Sequence, residues 1–204
     1  MAGSERGVGA SARRTSLRPA LDSPALDSPG PDAPDGPAAG THAAGAHAPA
    51  LLAVDLGLRT GFAAYARDGR LVWARSQNLG TRTRLRAAAA SVLNGLPGVE
   101  RLVLEGGGDL ARLWAAVAEK RGLPVRVVDA QTWRRTLLLP REQRSGTDAK
   151  AAADGLARAV IAWSGAAAPK GALRHDAAEA VAVGLWGVID AGWLAAVPEA
   201  VRRR

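Results

Sequence analysis

The stretch Leu51-Leu-Ala-Val-Asp-Leu-Gly-Leu-Arg-Thr-Gly61 constrains the fold of this chain more than any other. Four apolar residues run without interruption into Asp55. Such a run reads as a strand buried on both faces. A carboxylate at the tip of a buried strand is costly unless it is paired or holds a metal. Gly57 and Gly61 let the backbone turn sharply and let a phosphate or an ion come close. Asp55 is therefore expected to anchor an acidic metal site, with later segments delivering the remaining ligands.

The elements that follow can be read in order. Residues 61–66 form a second strand, Asp68-Gly69 carries a hairpin signal, and residues 71–77 form a third strand, which together make an antiparallel meander. Residues 81–96 are helical, with Leu85, Ala88, Ala89, Val92 and Leu93 near a 3.6-residue period. Residues 100–105 form a fourth strand that again ends in a carboxylate, Glu105. A glycine loop leads to a helix over 109–121, with Asp109 expected as its N-cap. Residues 124–129 form a fifth strand. A short basic helix over 131–139 carries Trp133, Arg134 and Arg135, and 140–146 reads as a loop. Thr147 is expected to cap a helix running to residue 163, and residues 174–186 form the final helix. Trp114 and Trp186 are read as core. The expected fold class is α/β: a five-stranded mixed sheet, an antiparallel meander plus two parallel strands, flanked by helices.

Parallel neighbours end on the same edge of a sheet, and a right-handed crossover returns the fourth strand beside the first. Asp55 and Glu105 should therefore be neighbours at the edge where open sheets bind ligands. The final helix adds Asp176 and Glu179, three residues apart and so on one face. These two also suit a capping box at the helix start, a reading that explains one helix end but not two strands ending in acid. Four carboxylates, with no cysteine in the chain, suit Mg²⁺ or Mn²⁺. Two such ions roughly 3.5–4 Å apart can clamp a phosphodiester.

Composition sets the surroundings. The net charge is +8, carried by 24 arginines and 3 lysines. That excess fits nucleic acid, although arginine-, alanine- and glycine-rich composition also follows from GC-rich coding. The absence of cysteine excludes a disulfide framework and a thiolate zinc site. No apolar run reaches the roughly 18 residues a membrane span needs, and residues 1–50 hold no signal-peptide stretch, so a cytoplasmic location is expected. Residues 1–48 read as a disordered Pro/Gly/Ala-rich tail, 49–195 as the folded domain and 196–204 as a basic tail.

Three segments, Ala53-Val-Asp-Leu-Gly-Leu-Arg-Thr-Gly61, Leu102-Val-Leu-Glu105 and His175-Asp-Ala-Ala-Glu-Ala-Val-Ala-Val183, resemble motifs of the RNase H-like nuclease superfamily, and within it the RuvC-type Holliday-junction resolvases. Val127-Val-Asp-Ala-Gln-Thr-Trp-Arg-Arg135 and Lys150 extend the resemblance over residues 50–190. It implies an RNase H-like fold and a hydrolase that cuts branched DNA during recombination and repair. Two Mg²⁺ (or Mn²⁺) ions would be shared by Asp55, Glu105, Asp176 and Glu179. Arg59, Arg134, Arg135 and Lys150 would contact nucleic acid, His175 would serve as an auxiliary group, and the chain would act as a homodimer. The chain departs from the family pattern in having Glu179 where Asp is usual, and in having Gly106-Gly-Gly108 after Glu105, where the resolvases carry an aromatic wedge. Alternatives are a nuclease for RNA or RNA–DNA hybrids and a non-catalytic nucleic-acid-binding member. An actin-like ATP-binding fold needs two such domains and is disfavoured.

Overall fold

The computed structural model of the chain describes residues 48–168 and 171–202. Residues 1–47 of the expected N-terminal tail and residues 203–204 of the C-terminal one lie outside the described residues. The strands are β1 (Leu51–Asp55), β2 (Arg59–Tyr65), β3 (Leu71–Asn78), β4 (Arg101–Glu105) and β5 (Val125–Val128). The helices are α1 (Arg82–Asn94), α2 (Gly108–Glu119), α3 (Ala130–Leu137), α4 (Gly146–Ser164) and α5 (His175–Asp190). A 3₁₀ turn at Pro140–Gln143 occupies the segment expected as loop.

The strands lie in the order β3-β2-β1-β4-β5. β1 pairs antiparallel with β2 and β2 with β3, whereas β1–β4 and β4–β5 are parallel. This is the five-stranded mixed sheet, an antiparallel meander plus two parallel strands, read from the sequence. The central strands are apolar because both faces are covered. On one face Leu52, Val54, Phe62, Leu102 and Leu104 pack under α1 and α2, with Trp114 fully buried among them. On the other, Leu51, Ala53, Ala63, Tyr65 and Val103 pack under α5, with Trp133 and residues of α4.

Side chains alternate across a strand. Asp55 therefore shares the α5 face with Leu51 and Ala53, and Glu105 shares it with Val103. The parallel register sets Asp55 opposite Glu105, and on the other side Asp55 opposes Gly61. Gly61 in turn opposes Ser76 on β3. One row across the sheet, Ser76-Gly61-Asp55-Glu105, thus faces the start of α5.

α5 is buried on nearly every side, as a core helix must be. It lies close to the sheet because small residues line the contact. A Cβ on Gly61 would overlap the backbone carbonyl of Asp176, and one on Gly184 would overlap the Tyr65 ring. A Cβ on Gly187 would come within 2.8 Å of Val103 Cγ2. The Tyr65 hydroxyl donates to the Val181 carbonyl at 2.6 Å, fixing the helix along its axis, and burial of that phenol holds its pKa well above the usual value.

Two caps differ from expectation. α2 begins two residues earlier than Asp109 as N-cap would place it, with Gly107 as N-cap; Asp109 sits in the first turn, held by Arg82 and Arg112. α4 is capped by Ser145, which accepts from the Asp148 N–H, rather than by Thr147. In both cases a glycine next to the cap lets the chain enter the helix earlier. Within the segment 196–204, Val201 is buried in the core beneath α5, and Arg202 donates to the Val197 carbonyl at 3.1 Å.

Alanine is favoured over glycine inside a helix by about 1 kcal/mol. Gly184→Ala should nevertheless destabilise the protein by about 1–3 kcal/mol, because overpacking against the Tyr65 ring outweighs that gain. Urea unfolding checks this; a raised midpoint would mean that α5 does not depend on the close approach.

Candidate active site

The row across the sheet and the N-terminal part of α5 bring three carboxylates together. One oxygen each from Asp55, Glu105 and Glu179 lies within 4.8 Å of the other two, and all three residues are partly buried. Asp55 and Glu105 arrive by strand register, and Glu179 reaches down from α5. The extra methylene of glutamate, the departure from the family pattern, is present in the side chain that completes the trio.

Crowding and burial disfavour the ionised forms. The Asp55 carboxyl is pushed from its ordinary 3.8 up to about 8, first by burial and then by the charges of Glu105 and Glu179. Glu105 is also raised, chiefly by burial and then by Glu179, while its hydrogen bond with Asp55 and the nearby Arg134 pull it back down. Asp55 is thus the member that keeps its proton and hydrogen-bonds to the Glu105 carboxylate. Like charges held this closely cannot all ionise without a cation between them.

Glu179 has two basic neighbours. Arg134 Nη2 of α3 lies 2.8 Å from Oε1, with the Glu179 side chain only 13% exposed. His175 Nε2, one turn earlier on α5, lies 3.4 Å from Oε2. Arg134 was expected to contact phosphate; here its guanidinium is bound to the acid cluster because α3 packs against α5, and its Nε is buried without a partner. Asp176 is not within the trio. It is buried on the same face, but its Oδ2 accepts a hydrogen bond from Ser76, and the N-cap of α5 is Arg174. Sequence reasoning missed Ser76. The clue was available: Ser76 opposes Gly61 in the hairpin register, so it must point to the face carrying Asp55.

Arg59 at the start of β2, Arg135 on α3 and Lys150 in the first turns of α4 are exposed, and none is ion-paired among the described residues. Three inward carboxylates with oxygen-only donors, with ionisation suppressed at Asp55 and Glu105, fit a hard divalent cation such as Mg²⁺ or Mn²⁺. Among the described residues this is the group of His or acidic side chains spaced to hold an ion. No helix among the described residues is long and apolar enough to cross a membrane.

No protein-family profile matches the chain, and no curated protein is similar to it in sequence. Solved structures do match. One is T. thermophilus RuvC in complex with Holliday junction substrate, with a TM-score of 0.49 and 18% identity over 70% of this chain and 94% of that one.

The raised Asp55 carboxyl has a thermodynamic consequence. Its proton is held more tightly in the folded than in the unfolded chain, so without divalent ions the stability it contributes falls as pH rises from about 4 to about 8. Asp55→Asn should flatten that fall and, at pH 8 in EDTA, stabilise the protein by at least about 1 kcal/mol. Thermal melts across pH test this, and a variant less stable than wild type at pH 8 would contradict the geometry. Mg²⁺ should reverse the order by stabilising wild type alone. Titration of Mn²⁺ should show binding that tightens with pH and levels off above about 8, because the ion must displace the Asp55 proton.

Proposed function

We propose that this chain is a divalent-metal-dependent nuclease that hydrolyses phosphodiester bonds in DNA, with branched DNA such as a four-way junction as its substrate. The observation that carries the reading is the trio Asp55, Glu105 and Glu179, with oxygens within 4.8 Å of one another at the strand ends of a mixed sheet. The motif resemblance to RuvC-type resolvases favours the branched substrate, and the net charge of +8 favours a polyanion.

In this reading Asp55, Glu105 and Glu179 hold Mg²⁺ or Mn²⁺, and Asp176 completes a second position by way of the oxygen that Ser76 leaves free. The bound ions supply the Lewis acidity that polarises the phosphodiester and prepares water for attack. The protein's own groups do the rest. Arg134 holds Glu179 in place and offsets its charge before the ion arrives. His175 stands beside Glu179, within reach to move a proton at the edge of the cleft. Arg59, Arg135 and Lys150 bind backbone phosphates and orient the strand over the acids. Symmetric cutting of a junction calls for two copies about a two-fold axis.

The test uses labelled four-way junctions, linear duplex and RNA–DNA hybrid with Mg²⁺, Mn²⁺ or EDTA. Wild type should cut the junction only with divalent ion. Asp55→Asn and Glu179→Gln should lose more than the roughly 10–100-fold that changes outside the ligand set cost. Failure to cut any substrate would sink the nuclease reading. Cutting of hybrids alone would leave the hydrolase and overturn the choice of branched DNA.

A further inference from the structure

The rim of the acid cluster combines an exposed apolar tip with a group of cations. Leu58 lies in the β1–β2 turn, three residues after Asp55, and is 69% exposed, the most of any large hydrophobic side chain among the described residues. The turn that carries it is held firmly. The Leu58 carbonyl accepts the N–H groups of Leu79 at 3.0 Å and Gly80 at 3.3 Å, and the Thr60 hydroxyl donates to the Gly57 carbonyl at 2.7 Å. These bonds tie the turn to the junction of β3 and α1.

A single exposed leucine needs no explanation by itself. The surroundings of Leu58 set it apart. Arg59 follows it, exposed and without an ion-pair partner among the described residues. The first turn of α1 contains Arg82 and Arg84 and no acid, so its cations add to the positive end of the helix dipole. Arg82 and Arg112 converge on Asp109 alone, which leaves a surplus positive charge and holds the Asp109 carboxyl below its usual range. Asp109 follows Glu105 by four residues, so these cations lie at the sheet edge where β1 and β4 end. Between them the glycine loop is open: a Cβ on Gly107 or Gly108 would meet nothing within 4 Å.

Cations at this density fit phosphates, and an apolar tip fits the face of a nucleobase. A stacked, fully paired duplex hides its base faces, whereas leucine tips insert where base steps part, and unstacked bases find favourable contact with apolar side chains. We propose that this rim receives a polynucleotide strand with an unstacked base beside the phosphate presented to the acid cluster. Leu58 lies against that base, and Arg59 and Arg84 sit on the flanking phosphates. The inference deepens the nuclease reading, on which it rests for the identity of the polymer, and names the local state of the substrate that the site selects.

The experiment measures equilibrium binding of the full chain in EDTA, by anisotropy, to three DNAs of one sequence: linear duplex, duplex with a central unpaired stretch, and single strand. 2-Aminopurine in the unpaired stretch reports base contact. Wild type should prefer the open DNAs to duplex and change the 2-aminopurine emission. Leu58→Ser, at an exposed site that leaves the fold intact, should lose about 5-fold or more of affinity for open DNA with duplex binding unchanged, and should abolish the emission change. Arg59→Ala and Arg84→Ala should each lower the salt slope of binding by about 1 on every DNA. Wild type without preference for open DNA, or Leu58→Ser indistinguishable from wild type, overturns the rim. Cleavage of the same DNAs in Mg²⁺ is scored separately. Wild type that keeps the open-base preference and the emission change yet cuts nothing supports the rim and counts against the hydrolase alone.

Discussion

The close seating of α5 on the sheet is the constraint on which the rest of the site depends. Helices usually stand off a sheet by the depth of their side chains, about 10 Å between layers. Here Gly61 on the strand and Gly184 and Gly187 on the helix remove those side chains at the points of contact, and the Tyr65 hydroxyl anchors the helix between them. A glutamate one turn into α5 can then reach the strand ends. With bulkier residues in the contact the same sheet would form, but Glu179 would hang above Asp55 and Glu105 instead of beside them.

That seating has an electrostatic cost, and the structure distributes it. The protein keeps a proton on Asp55, lends Glu179 the guanidinium of Arg134, and turns Asp176 toward Ser76. Each device is local, and in the proposed reading a divalent ion would take over from all of them. The acid cluster is therefore held in a poised condition, not a relaxed one. Functional sites commonly concentrate such unfavourable arrangements while the surrounding core supplies stability. Here the core consists of two apolar layers, one under α1 and α2 and one under α5.

Much of this was legible in the sequence. The apolar run into Asp55, the second strand ending at Glu105 and the hairpin glycines specified strand order and hence the meeting of the two acids, because parallel register leaves little choice. Reading Asp176 and Glu179 as a face-sharing pair was sound for the helix but could not say which would reach the sheet. That depends on helix rotation, which Gly61 and Tyr65 determine through contacts distant in sequence. Arg134 looked like a surface cation because a short basic helix normally is one. Its burial follows from Trp133 docking into the core, a tertiary effect that local pattern does not carry. The caps at Gly107 and Ser145 were off by two residues for the same reason that helix ends are hard to place: neighbouring glycines allow more than one entry geometry.

The trio also has a history along the chain. Asp55 closes the first strand, Glu105 the fourth, and Glu179 belongs to the last helix, so well over half the domain lies between the first acid and the last. A ribosome making this protein releases the sheet and both helices of one face long before α5 emerges. Until then Ala53, Tyr65 and Val103 have no cover on that side, and the two strand-end acids face water with neither Arg134 nor Glu179 docked over them. The three acids therefore meet only when the last helix packs. Folding of that helix is at once what covers the core on this face and what completes the acid cluster.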